Sequence, residues 1–197
     1  MPGPPRIMLT GVPGVGKTTV SQHPLIADMG VTVKNYGQIM FSLGKQKGIV
    51  SVFKDLDTLT IDQRVELQAD AARKIAEDTS AIAVVIDGHL IVDTASGFVP
   101  GLPLDCISTL DLTSIIMLWA EPKEVVTRRS NHVDKYSMLK QWSDSERVKT
   151  HQKVVFQVSV QYSILSHASF DVQNNRQNKV DETVKEFSDF LMPYLSC

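Results

Sequence analysis

The chain of 197 residues has only two cysteines, Cys106 and Cys197. They show no metal-ligand spacing and cannot build a disulfide framework, which leaves Cys106 as a small core residue. Charge of one sign is equally scarce: 20 Lys and Arg stand against 22 Asp and Glu, a formal net charge of −2. Such a balance sets up no global field for nucleic acid or a membrane surface. Basic residues are not interleaved with aromatics, so a nucleic-acid partner is not expected. No apolar run approaches the ~18 residues of a spanning helix. The start, Met1-Pro2-Gly3-Pro4-Pro5-Arg6, lacks the apolar core of a signal peptide, and the expected compartment is the cytoplasm. No His/Cys cluster has zinc spacing, and no Ser, His and Asp order points to hydrolysis through a covalent intermediate. No repeat, low-complexity tract or linker divides the chain, whose length suits one domain.

What is present is a phosphate-binding loop. Gly11-Val12-Pro13-Gly14-Val15-Gly16-Lys17-Thr18 matches G-x-x-x-x-G-K-[ST] in full. The apolar run Ile7-Met8-Leu9 precedes it as a first buried strand, over about 6–10. Thr19-Val20-Ser21 follows as a first helical turn. In that context the backbone N–H groups line a concavity for an anion. Lys17 reaches the β- and γ-phosphates, and the Thr18 hydroxyl holds Mg²⁺. The chain is therefore expected to bind a nucleoside triphosphate.

Apolar strands alternate with helical stretches, the pattern of a parallel α/β sheet. Pro24 is expected to kink or shorten the first helix. A second strand covers 31–34 and ends at Asn35-Tyr36-Gly37, before a helix over about 38–46. Thr60 and Gln63 fit a capping box for a long helix to about 78. The run 81–86, apolar throughout, reads as a central strand buried on both faces. Residues 94–103 read as a Gly- and Pro-rich loop. A fourth strand covers 114–119, and Glu121-Pro122 opens a helix carrying Arg128 and Arg129. Ser143 and Glu146 fit a second capping box, for a helix to about 167. A short strand over 169–172 and an amphipathic helix over 181–195, with Val184, Phe187, Phe190 and Leu191 on one face, close the chain.

Asp87 ends the central strand, at the sheet edge where α/β proteins bind ligands. A carboxylate there either holds Mg²⁺ through water or caps a turn. His89 either binds a second substrate or is a satisfied loop histidine. Residues 127–153 hold seven Lys or Arg against three Asp or Glu, while residues 44–105 hold six against ten. Within the basic stretch, Arg128 is placed to meet phosphate, and the rest read as a solvated face.

Taken in order, the phosphate loop through Thr19, Asn35-Tyr36-Gly37, Ile86-Asp87-Gly88-His89 and Ser96-Gly97-Phe98-Val99-Pro100-Gly101-Leu102-Pro103 resemble the archaeal-type adenylate kinases over nearly the whole chain. The resemblance implies a P-loop nucleoside monophosphate kinase fold: a parallel five-stranded sheet flanked by helices, an acceptor-binding segment over about 36–80 and a lid over about 128–145. It implies ATP + AMP = 2 ADP, with ATP and Mg²⁺ bound, and a homotrimer. Carried over residue by residue, Lys17 and Arg128 stabilise the transferred group. Gly11, Val12, Pro13, Gly14, Val15, Gly16, Lys17, Thr18, Thr19 and Asn174 hold the donor. Asn35, Tyr36, Gly37, Gly88, His89, Gly97, Pro100 and Gly101 hold the acceptor, and Thr18 and Asp87 position the metal.

The chain departs from the family pattern where arginines are expected toward the acceptor phosphate. Asp57 and Asp93 stand at two such positions, Phe156 near a third, and the lid reads Asn131-His132-Val133-Asp134-Lys135-Tyr136. These departures keep an alternative open: a divergent relative that binds ATP with weak or no adenylate kinase activity, as a slow ATPase or toward another acceptor.

Overall fold

The computed structural model describes residues 3–94, 97–132 and 143–195. β1 (Arg6–Thr10), buried along its whole length, pairs in parallel with β3 (Val84–Asp87) and with β6 (Ser114–Trp119). β2 (Thr32–Asn35) lies outside β3 and β7 (Ser169–Asn174) outside β6, giving five parallel strands in the order β2-β3-β1-β6-β7. The register sets Leu9 and Asn35 beside Asp87, so three strand ends meet at one edge of the sheet.

Each face of the sheet has its own core, because successive side chains of a strand point opposite ways. Ile7 and Leu9 of β1 join Val20, Ile26, Val85, Phe187 and Leu191 on one side. Met8, between them, joins Leu67, Ile75, Ile86, Ile107 and Leu110 on the other. The first face is covered by α1 (Lys17–Ser21), α2 (Pro24–Asp28) and α8 (Val180–Leu195). The second is covered by α3 (Tyr36–Gln46), α4 (Ile61–Ala76) and α5 (Leu104–Leu110). α6 (Pro122–Ser130) and the long α7 (Ser145–Ser166) complete the helices of the described residues. None of these helices is long and apolar enough to cross a membrane.

Several expectations are met by local chemistry. Thr60 and Gln63 form the reciprocal capping box that opens α4. Pro122 opens α6, where a missing N–H costs nothing. Others are corrected. Of the two effects expected of Pro24, it is shortening and not a kink that is seen: α1 ends at Ser21, and Pro24 starts α2 with His23 as its cap. Asp144, not Ser143, caps α7, accepting from the Glu146 N–H. α3 begins at Tyr36, not Gln38, because the Asn35 side chain caps it. Only Val84–Asp87 of the apolar run is strand, and Ile82 is exposed. The expected loop over 94–103 is largely an antiparallel hairpin of β4 (Ile91–Thr94) and β5 (Gly97–Pro100), with Ser96 outside the described residues. The central part of the expected lid, 133–142, with Lys135 and Lys140, also lies outside them. α5 was not anticipated; its buried Cys106, Ile107 and Leu110 span barely two turns, too few for a periodic signal.

Phe187 is the largest side chain with no exposure, at the contact of α8 with the sheet. Phe187→Ala is expected to cost about 3–5 kcal/mol, read as a lower urea midpoint at unchanged slope.

Candidate active site

The phosphate loop connects β1 to α1 in a conformation that its neighbours hold from outside. Gly11, Gly14 and Gly16 all have positive φ (144°, 83° and 104°). Val12 and Val15 are fully buried and anchor the loop in the core, and the Val15 N–H closes a turn on the Val12 carbonyl at 3.2 Å. Three further carbonyls meet donors. Gly11 O accepts from Lys17 Nζ at 3.1 Å. Pro13 O accepts from Nε and Nη2 of Arg129 at 2.9 and 2.7 Å. Val15 O accepts from Arg128 Nη1 at 2.9 Å and Asn175 Nδ2 at 2.7 Å. With its oxygens held by donors on the outside, the loop can turn its N–H groups inward, as an anion requires. The fit also excludes side chains: a Cβ on Gly14 would lie 2.9 Å from Arg129 Cγ, and one on Gly16 only 2.2 Å from Asn175 Nδ2.

At the tip of β3, Asp87 is buried and its Oδ2 accepts from Thr18 Oγ1 at 3.0 Å and from Asn35 Nδ2 at 3.2 Å. The hydroxyl–carboxylate pair is an oxygen-only donor set, which fits Mg²⁺. Among the described residues no cluster of three His, Cys, Asp or Glu could hold a metal by itself. That also fits Mg²⁺, which takes one or two carboxylates and completes its shell with water and substrate phosphates. His89 Nδ1 lies 2.9 Å from Gly11 O. Burial, and then the nearby Lys17 charge, push its pKa well down. The neutral ring therefore carries its proton on Nδ1 and donates it to that carbonyl. Its 3.4 Å approach to Lys17 Nζ is then a contact rather than a hydrogen bond.

The two expected groups of side chains fall on opposite sides of this centre. Asn174, expected at the donor base, ends β7, and its carbonyl accepts from Thr183 Oγ1. The neighbouring Asn175 is the residue that bridges to the loop. Arg128 lies here as well. Its guanidinium donates to Val15 O, to Asn175 O at 2.7 Å, to Gln177 Oε1 at 3.1 Å and to Glu124 at 3.3 Å. In this arrangement Arg128 ties the phosphate loop to the 175–177 turn; a place over the transferred group would require those contacts to break. Thr19 is exposed on α1.

On the other side, Tyr36, expected at the acceptor, has its hydroxyl engaged within the protein. It is buried, its O–H donates to the Gln68 carbonyl, and burial pushes its pKa up. Gly88 lets this ring pack, since a Cβ there would lie 2.9 Å from Met8 Cε and 3.3 Å from Tyr36 Cβ. Gly101 passes so close to the His89 carbonyl that a Cβ would sit 2.2 Å from it. Gly37 lies near Phe53, Gly97 turns the hairpin with φ 118°, and the Pro100 carbonyl accepts from Gln68 Nε2 at 3.3 Å.

Asp93, one of the departures noted in the sequence, is not an open anion. Arg147 of α7 grips both its oxygens, Nε at 2.9 Å from Oδ2, and stacks 4.1 Å above the Phe98 ring. Beyond Phe98 lies the buried His151, 5.1 Å away, with Nε2 3.2 Å from Ile91 O. Arg129, Asn175, Gln68 and Arg147 were all missed as individual sites in the sequence. The opposed charge excesses of 127–153 and 44–105 were the one signal for the Arg147 pair. Asp57 shows only a contact of its carbonyl with Arg64 Nη2 at 3.5 Å, and Phe156 stacks edge-on against Phe170.

The model of the AAA domain family matches residues 10–144. The adenylate kinase of Methanopyrus kandleri is 30% identical over 92% of this chain and 94% of its own length. The chain belongs to the archaeal-type adenylate kinase family. A second member, the adenylate kinase of Thermoplasma acidophilum, is 30% identical over 92% of this chain and 95% of its own. Among solved structures, shikimate kinase from Acinetobacter baumannii in complex with shikimate superposes with a TM-score of 0.61 at 11% identity, covering 96% of this chain and 94% of that one. A gluconokinase from Sinorhizobium meliloti gives 0.52 at 15%, covering 100% and 96%. At such identities these two carry the fold alone. Within the adenylate kinase family, this member has its Asp93 in a closed ion pair that spans α7 and the β4–β5 hairpin.

Asp93 is buried while Arg147 is partly exposed, so removing the arginine strands a buried carboxylate, at about 1–3 kcal/mol, and removing the carboxylate costs less. Asp93→Asn and Arg147→Gln are each expected to lower the urea midpoint, and the Asp93→Arg/Arg147→Asp exchange to recover at least half of the loss. His151 supplies a pH signature. Burial holds its pKa down at about 4, while its unfolded value is near 6.5. The unfolded state binds the extra proton between these values, so stability is fully present above pH 6.5 and falls toward pH 4. The slope is about 1.4 kcal/mol per pH unit. Asp93, Arg129 and Lys17 face the ring and bias it in both directions. Urea midpoints across pH 4–7 would show the slope, and His151→Gln should flatten it.

Proposed function

We propose that this chain catalyses ATP + AMP = 2 ADP, assisted by Mg²⁺. The observation that carries the reading is the Thr18–Asp87–Asn35 chain, which links the phosphate loop directly to the residue that caps the acceptor-side helix α3. A protein that only bound ATP would have no need to couple those elements. The named activity of the Methanopyrus and Thermoplasma relatives supports the same conclusion.

In this mechanism the phosphate-loop N–H groups hold the β-phosphate, and Lys17 turns from Gly11 O toward the group being transferred. Thr18 and Asp87 position the metal, which supplies charge neutralisation on the donor phosphates. Asn35 fixes the Asp87 carboxylate by donating to Oδ2. The attacking oxygen belongs to a phosphate that is already anionic, so no general base is needed. Arg128 and Asn175 hold the base side, and the segment over about 128–145 acts as the lid that keeps water out. Residues of about 36–80 receive the acceptor. The family resemblance adds a cytoplasmic homotrimer, which sedimentation would read.

One observation favours a second reading. Asp93 uses up Arg147, so the acceptor side offers fewer unengaged cations than the family pattern, and a less anionic acceptor would suit it. The test is a coupled assay of ADP formation from ATP and Mg²⁺ with each nucleoside monophosphate. ADP formation that depends on AMP is expected. Dependence on no monophosphate, with ATP still bound, would sink the kinase reading in favour of an ATP-binding relative. Lys17→Ala is expected to lower the AMP-dependent rate at least 100-fold with the urea midpoint little changed.

A further inference from the structure

The buried Gly11 carbonyl receives two donors from different parts of the chain. Lys17 Nζ lies 3.1 Å from the oxygen and His89 Nδ1 lies 2.9 Å from it. A carbonyl oxygen can only accept, so both groups donate to it, one for each lone pair. Of the two, Lys17 is the one with a second task, at the β- and γ-phosphates. When the ammonium turns to them, His89 is the donor that stays.

Neither partner of that remaining bond is free to move. Gly11 has φ 144°, and a Cβ on it would lie 2.7 Å from the Leu118 carbonyl oxygen, so its peptide is pressed against the end of β6. The backbone on each side of His89 is held as well. The Gly88 N–H donates to Leu9 O at 3.2 Å, and the Leu90 N–H donates to Thr10 Oγ1 at 3.3 Å. The Leu90 carbonyl accepts from the Gly101 N–H at 2.9 Å. These bonds fix the 88–90 turn to β1 and to the residue that follows β5, and with it the aim of the imidazole. The family pattern places His89 with the acceptor, yet its Nδ1 proton goes to the phosphate loop.

We infer that His89 is a positioning residue for Lys17: by holding the Gly11 carbonyl, it lets the ammonium leave that oxygen for the donor phosphates. This rests on ATP binding at the phosphate loop, the donor half of the reading above, and not on which acceptor follows. Without the imidazole, the departure of Lys17 strands a buried carbonyl, and ATP binding carries that cost. A residue that only shaped the loop would matter equally with or without Lys17. One that touched the acceptor would act through the KM of the acceptor.

The first test needs no substrate. His89→Leu and Lys17→Met each leave Gly11 O one donor, and the double variant leaves it none among the described residues. The urea midpoint of the double variant is expected to fall by more than the sum of the two single shifts. Failure of the double variant to fold, where both singles fold, is the same result. Additive shifts overturn the inference, because the two side chains then do not share one carbonyl. The second test is calorimetric titration with ATP and Mg²⁺. His89→Leu is expected to lower the affinity about tenfold, with KM for AMP unchanged. His89→Asn, whose Nδ2 takes the place of the imidazole Nδ1, is expected to recover most of that affinity. His89→Gln, whose amide reaches the Nε2 position instead, is expected to recover little. A raised KM for AMP with ATP affinity intact returns His89 to the acceptor and overturns the inference. ADP formation that no monophosphate accelerates sinks the kinase reading alone, since the urea and ATP titrations still decide the role of His89.

Discussion

The structure depends on how the carbonyl oxygens of the phosphate loop are satisfied. A loop that turns its N–H groups toward an anion must turn its oxygens the other way, into the protein, where each needs a donor. Here Lys17 at the loop's own end supplies one donor, and the others come from distant parts of the chain: Arg128 and Arg129 on α6, and Asn175 after β7. The loop is thus shaped by elements more than a hundred residues away. The same arrangement places cationic side chains behind the loop, where their charge favours a bound polyphosphate. It also explains the glycines at 14 and 16 beyond their dihedral angles, because the bracing side chains occupy the space a Cβ would need.

Charge is arranged by the same logic of pairing across distance. The acidic excess of residues 44–105 is partly paired within the fold. Lys47 engages Glu66 and Asp70. Lys34 bonds Asp78 at 2.6 Å and holds its carboxyl down at about 2. Asp55 accepts from the Ser51 and Val52 N–H groups. Asp93 takes Arg147 from the basic stretch. The acidic and basic segments of the chain therefore cancel in part through a specific part-buried contact, and that contact pins the β4–β5 hairpin to α7. It is stiffened by the stack of Arg147 on Phe98 and of Phe98 on His151.

Much of this was legible from the residues. Uninterrupted apolar runs marked β1, the end of β3 and β6, because strands covered on both faces have no polar side to betray a period. The Thr60 box and the Phe187 stripe were equally readable, being local patterns. The hairpin at 91–100 was not, because it contains Pro and Gly and its pairing depends on α7 packing on it. Asp87 and Thr18, singled out by strand end and motif, do come together, the hydroxyl donating to the carboxylate. The protein partners of Tyr36 and Arg128 were not readable, since a motif position states nothing about where a long side chain turns.

What the sequence alone determined is the sheet, the position of the phosphate loop on it and the family to which the chain belongs. Each of these rests on contiguous residues whose spacing encodes a local conformation. Only the tertiary structure decided that Asn175 rather than Asn174 braces the loop, that Asp93 is closed by Arg147, and that Gln68 of α4 bonds the Pro100 and Gly101 carbonyls. Those outcomes depend on which donors and acceptors, far apart in the chain, are brought within hydrogen-bond reach. No spacing in the sequence records that, because it is set by the packing of α4, α6 and α7 around the sheet.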